Sequence, residues 1–190
     1  MRSDHVTDRS YLSGEVKRYS CWPTIVPQTV GSHSWGVYHV YWRIFGLPSA
    51  EVALYIHLHD AEELVSGDNP FPMSRDFPSL RRAKDEMEAV ARERLHLPDA
   101  ASGISDFDRA KVKICDLLEM MLKGMLEREM GNLLATPIVE RTREAALKLA
   151  YSTFVGISMS NFELVNEWVR DETARHKEVL AKQGSTKDDG

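Results

Sequence analysis

The adjacent pair His59-Asp60 lies in the stretch LYIHLHDAEELVSGDNPFP, residues 54–72. Neighbouring residues on a helix point about 100° apart, so both reach one target only if it lies between them. A divalent metal is such a target, because imidazole nitrogen and carboxylate oxygen both ligate zinc, manganese, cobalt or iron. Glu63 follows His59 by four positions and Asp60 by three, which puts it on the same side of a helix. Gly67 is the expected stop, with Asp68 directly after it. The run Asn69-Pro70-Phe71-Pro72 cannot continue a helix. A core histidine bonded to its neighbour is the competing reading of His59. Residues elsewhere favour the metal: His33 opens an apolar helical stretch, and Asp116 sits inside a Met/Leu-rich helix. An inward carboxylate on such a helix is costly unless it is paired or metal-bound. His33, His59, Asp60 and Asp116 together offer two nitrogens and two oxygens, an open site suited to hydrolysis.

Helices must position these groups. Val30, His33, Val37, Val40 and Ile44 recur at three and four, one buried stripe that turns His33 inward. Gly46-Leu47-Pro48 ends that helix and Ser49 caps the next. There Val52, Ile56, His59 and Glu63 form a second stripe, with His57 off it. Leu80, Ala83, Met87, Val90 and Ala91 predict an amphipathic helix over residues 79–95, whose outer face carries Arg81, Arg82, Lys84, Asp85 and Glu86. Ser105 to Asp108 reads as a capping box that starts a helix ending at Gly131-Asn132. Thr136 as a cap, followed by Pro137 in the first turn, starts another. It loosens around Gly156, and Ser160 to Glu163 restarts the last helix. Upstream, Ser13 can cap a short helix over residues 14–18, and Pro23 and Pro27 hold residues 20–27 extended. Trp22 and Ile25 line a base pocket or cover the core edge. No strand pattern, repeat or phosphate-binding GxxxxGK[ST] loop is present. The expectation is an all-α bundle of six or seven helices, one domain over residues 11–182, with loose tails at 1–10 and 183–190.

In this order the residues resemble the HD-domain metal-dependent phosphohydrolases, whose ligands run H…HD…D. His59-Asp60 through Pro72 resembles the HDxxExxxGDxPxP pattern of bacterial 5′-deoxynucleotidases, which also carry a Trp-Pro echoed by Trp22-Pro23. Arg18-Tyr19 and the run QTVGSHSWGV at 28–37 look closer to small phage dATP triphosphohydrolases. The match covers roughly residues 17–131 and is more specific for the superfamily than for the substrate. It implies a divalent cofactor (zinc, cobalt, manganese or magnesium) held by His33, His59, Asp60 and Asp116. It implies that Glu63 orients or deprotonates the attacking water and that Asp68 contacts the sugar or assists proton transfer; a helix-end cap is the other reading of Asp68. Arg18 enters through the resemblance as a phosphate contact. Lys113, three residues before Asp116, enters through spacing, since a cation beside metal ligands needs an anion. Arg75 and Lys84 are weaker substrate candidates, for which surface charge is the stronger reading.

The 5′-deoxynucleotidases place an arginine directly before Trp-Pro, where this chain has Cys21. That departure tilts the expectation toward dATP hydrolysed to deoxyadenosine and triphosphate by attack at the α-phosphate. A dNMP 5′-nucleotidase is the alternative. A non-catalytic nucleotide-sensing module is another, against which an inward Glu63 that is no ligand speaks. The resemblance further implies a dimer or hexamer, which large apolar residues in the last helices (Phe154, Met159, Phe162, Trp168) would support.

Composition bounds the rest. The chain of 190 residues is long enough for one buried core, with 43% hydrophobic and 28% charged residues. A formal net charge of −5 disfavours a nucleic-acid partner, so any phosphate site must be a local basic one. Two cysteines, Cys21 and Cys115, make no metal or disulfide pattern, and no apolar run or signal-peptide core points to a membrane. A cytoplasmic location is the expectation.

Overall fold

The computed structural model describes residues 7–20, 22–68 and 78–185, and it is all-α. Among them are seven α-helices: α1 (Val30–Phe45), α2 (Ala50–Leu58), α3 (Glu63–Ser66), α4 (Pro78–Arg94), α5 (Asp106–Glu129), α6 (Thr136–Phe154) and α7 (Met159–Ser185). Two 3-10 segments, Thr7–Glu15 and Leu133–Ala135, complete the order. Arg75, Cys21 and the proline loop at 69–72 lie outside the described residues. No described helix is long and apolar enough to cross a membrane.

The chain divides into two compact units. The first comprises Met1–Tyr38 and Ser49–Ile104, and the second His39–Pro48 and Ser105–Gly190, so α1 contributes to both. The α1 stripe is buried as its period demands: Val30, His33, Val37, Val40 and Ile44 are each at most 5% exposed. Gly46 stops the helix at φ +84°, where a Cβ would be strained. The Ser49 hydroxyl then accepts the Val52 N–H at 3.3 Å, as an N-cap should.

In the second unit, Ser105 caps α5 by accepting the Asp108 N–H at 3.1 Å. Gly131, at φ +97°, ends the run after it. Gly124 lets α6 approach α5 closely, since a Cβ there would meet Val139 Cγ2 at 2.8 Å. Phe154 is fully buried and meets Phe45 and Phe107 edge-on, with centroids at 5.9 and 5.3 Å. Phe154→Ala is expected to lower stability by about 3–5 kcal/mol, a fall in Tm of roughly 6–15 °C in a thermal melt. Cys115 is buried, and burial pushes its thiol well above the usual range, which makes it an inert core residue.

Several expected boundaries shift. The expected helix over residues 14–18 does not form as such: a 3-10 segment starts earlier and ends at Glu15, and Lys17 pairs antiparallel with Thr29. Thr136 is the first residue of α6 rather than its cap, because the preceding 3-10 turn runs straight into the helix. α6 continues to Phe154, and α7 begins at Met159, ahead of the Ser160 box. The inward face of α4 is rotated from the expected one. Ala83, Met87 and Val90 are exposed, whereas Ala91 and Leu95 are buried and Lys84, Glu88 and Arg92 are half-buried.

Candidate metal centre

α2 ends at Leu58, and residues 59–62 form a tight turn before α3 rather than a continuous helix. Its bonds run from residue i to i−3: Ala61 N–H to the Leu58 carbonyl at 3.2 Å, and Glu63 N–H to the Asp60 carbonyl at 3.1 Å. Arg92 of α4 clamps this turn. Its Nη2 donates to the Leu58 carbonyl at 2.9 Å and lies 2.9 Å from Glu62 Oε2. The sequence reading passed over Arg92. Its signal is its place four residues after Glu88 and eight after Lys84, on one α4 face.

The turn presents His59 and Asp60 to His33 of α1, which is fully buried. Asp60 Oδ2 lies 3.5 Å from His59 Nε2 and 3.6 Å from His33 Nε2. A tetrahedral ion with bonds of about 2.0–2.2 Å needs donors roughly 3.4 Å apart, so the spacing suits one ion. One ligand atom from each residue falls within 4.8 Å of the others, the one such His/Cys/Asp/Glu cluster among the described residues. His59 Nδ1 donates to the Ile56 carbonyl at 2.7 Å. That fixes the tautomer and turns the Nε2 lone pair toward the cluster, the arrangement a ligating histidine needs. His59 Nε2 is buried and has no hydrogen-bond partner among the described residues. The donors present therefore fit a divalent metal.

Glu63 opens α3, buried at 6% exposure, and its Oε2 has no hydrogen-bond partner among the described residues. Desolvation, then the Asp60 charge, pushes its carboxyl up from 4.5 to about 8; Arg18 and Lys84 pull the other way. The folded protein thus holds the Glu63 proton at pH values where the unfolded chain has released it. In that window the unfolded state binds fewer protons, so stability falls as pH rises from about 4.5 to about 8 and is level above. With metal chelated, Glu63→Gln is expected to melt about 5 °C or more above the wild type at pH 8.5 and together with it below pH 4.5. Equal melting temperatures at both pH values would remove the buried charge from consideration. Glu62 shows the same burial effect, pushed up to about 7 with Arg92 opposing.

The other expected residues fall as follows. Arg18 Nη1 donates to Asp60 Oδ2. Asp68 accepts the Tyr19 backbone N–H at 2.6 Å, so it anchors the segment that carries Arg18. Lys84 is half-buried and pairs with Glu88 at 2.9 Å; desolvation lowers its pKa, but Glu88, then Asp60 and Glu63, raise it by more, for a net rise. Trp22 is 37% and Ile25 50% exposed. Asp116 belongs to the second unit, where it is buried on α5 and accepts Lys113 Nζ at 2.5 Å. Lys113 itself is 56% exposed.

No family model matches this sequence, and no curated protein sequence does. The likeness is one of fold, to an HD phosphohydrolase. That solved structure is the cyanophage S-2L HD phosphohydrolase (DatZ) bound to dA and one catalytic Zn2+ ion. The two chains share a TM-score of 0.72 and 17% identity, over 89% of this chain and 96% of that one.

Proposed function

We propose that the chain is a metal-dependent nucleotide phosphohydrolase whose substrate is dATP, cleaved to deoxyadenosine and triphosphate. The observation that carries this is the pairing of a metal-shaped donor cluster with a buried carboxylate, Glu63, that is not one of its donors. The fold likeness to a structure holding dA and zinc supports it. A divalent ion bound at His33, His59 and Asp60 would acidify water and offset phosphoryl charge. Asp116 is proposed as a further ligand on the H…HD…D order alone.

The chain's own groups supply the rest. Glu63, in its ionised form, accepts the proton of the attacking water as oxygen bonds to the α-phosphorus. The bond from phosphorus to the 5′ oxygen breaks, and that oxygen takes up the proton held by Glu63 and leaves as deoxyadenosine, with triphosphate as the other product. Lys84 and Arg18 lie on the Asp60–Glu63 side and lend positive charge to the phosphate chain. Lys113 and Arg75 are proposed as further phosphate contacts, and Trp22 as a base contact. The acidic chain makes such local cations necessary.

The test is a panel of dNTPs and dNMPs with products separated as phosphate, pyrophosphate or triphosphate. Triphosphate from dATP supports the proposal; phosphate from dAMP alone moves the assignment to a 5′-deoxynucleotidase, and no hydrolysis moves it to a sensing module. A homo-oligomer is also proposed. Of the residues expected to support it, Phe154 is buried, Phe162 and Trp168 are half-buried and Met159 is exposed; Leu126, Met130, Leu133, Leu134 and Ile157 are further exposed apolar residues. Light scattering at micromolar concentration checks it.

A further inference from the structure

Asp60 Oδ2 is the oxygen that faces both His33 Nε2 and His59 Nε2, at 3.6 and 3.5 Å. The same oxygen accepts Arg18 Nη1. A carboxylate oxygen so placed cannot serve a guanidinium and a divalent ion equally well, because both are cations seeking the same lone pairs. Arg18 is not there by chance of a loose surface chain: its side chain is 9% exposed. Its N–H donates to the Gln28 carbonyl at 2.9 Å, and the Val30 N–H donates to the Val16 carbonyl at 2.9 Å, which closes the segment around the Lys17–Thr29 bridge. On the other side Tyr19, held at φ 60°, donates its N–H to Asp68 at 2.6 Å. The backbone of Arg18 is thus pinned on both flanks, and only its side chain has freedom to change partner.

We propose that Arg18 is a resident counter-cation that competes with the metal for Asp60. It holds the acidic turn of Asp60 and Glu63 together when no metal is bound, and it sets a ceiling on metal affinity. Metal binding displaces its guanidinium from Oδ2, and the released guanidinium becomes a cation for a phosphate group. This rests on the reading of His33, His59 and Asp60 as a metal site, and it adds an order of events: metal first, anion second. The prediction has two opposite signs. Removing Arg18 should tighten zinc, because a competitor and a like charge both disappear. It should also weaken the metal-free protein, because Asp60 and Glu63 lose the cation between them. A merely structural arginine would move both in one direction.

The experiment is a competition titration of Zn2+ against a chromophoric chelator, with a thermal melt in excess chelator, on wild type, Arg18→Gln and Arg18→Lys. Arg18→Gln is expected to bind Zn2+ about 10- to 1,000-fold more tightly than wild type, the range by which one neighbouring charge changes proton affinity at a carboxylate. Its chelated form is expected to melt about 3–10 °C lower. Arg18→Lys should fall between the two in both measurements, and it serves as the folded test should the glutamine variant fail to fold. Equal or weaker zinc binding in a folded Arg18 variant, with wild type binding normally, overturns the proposal and leaves the metal site standing. A wild type that binds no zinc, cobalt or manganese overturns the metal reading, and this inference with it.

Discussion

Asp60→Ala is expected to leave a protein that carries no metal and turns over no nucleotide. Asp60 supplies the oxygen nearest both histidine nitrogens, so its loss leaves only His33 and His59 of the three clustered donors. A metal contributes several kcal/mol to phosphoryl chemistry, so the rate should fall about 10³-fold or more. The measurement is elemental analysis of the purified variant beside its kcat/KM. Full metal content would mean that the ion sits elsewhere. The same measurement on Asp116→Ala asks whether the carboxylate of the second unit takes part. Retained metal and activity there would remove Asp116 from the ligand set.

Glu63→Gln should do something different: keep the metal, keep the nucleotide, and lose turnover by about 10²–10⁴-fold, the range of general acid–base groups. Glutamine preserves shape and hydrogen-bonding reach while removing the proton acceptor. Because desolvation is what raises the Glu63 carboxyl to about 8, the same substitution stabilises the chelated protein while it disables chemistry. Opposite effects on stability and rate mark a group kept for function at the expense of fold energy. The sign of the pH dependence follows: the ionised form is the base, so activity should rise with pH through the Glu63 titration and its acid limb should vanish in the variant. Loss of metal in Glu63→Gln would make Glu63 a ligand and the scheme wrong.

Periodicity and caps are local properties, set by residues three or four apart, and they were legible without coordinates. The stripe Val30, His33, Val37, Val40, Ile44 needed only the helical repeat to turn His33 inward, and the structure buries all five. The stops at Gly46, Gly67 and Gly131 were equally readable, because each adopts a positive φ that other residues resist. The all-α class followed from such patterns. The pairing of His33 with His59-Asp60 came from their order and their stripes, and the structure sets these three side chains together in the first unit.

What tertiary structure alone decided is which partners meet the acids of the site. Arg18 and Asp60 are 42 positions apart, Tyr19 and Asp68 are 49, and no local period links either pair. The face of α4 shows why a periodic reading misled. Its apolar residues Met87 and Val90 are exposed, while Lys84 and Arg92 are half-buried. Glu62 and Glu63 are buried; Arg92 pairs with Glu62 and opposes the rise of its carboxyl, and Lys84 opposes that of Glu63, so this face of α4 answers the acids of the turn. A hydrophobic pattern cannot register that preference, because it depends on acids from a turn some twenty to thirty residues upstream in the chain.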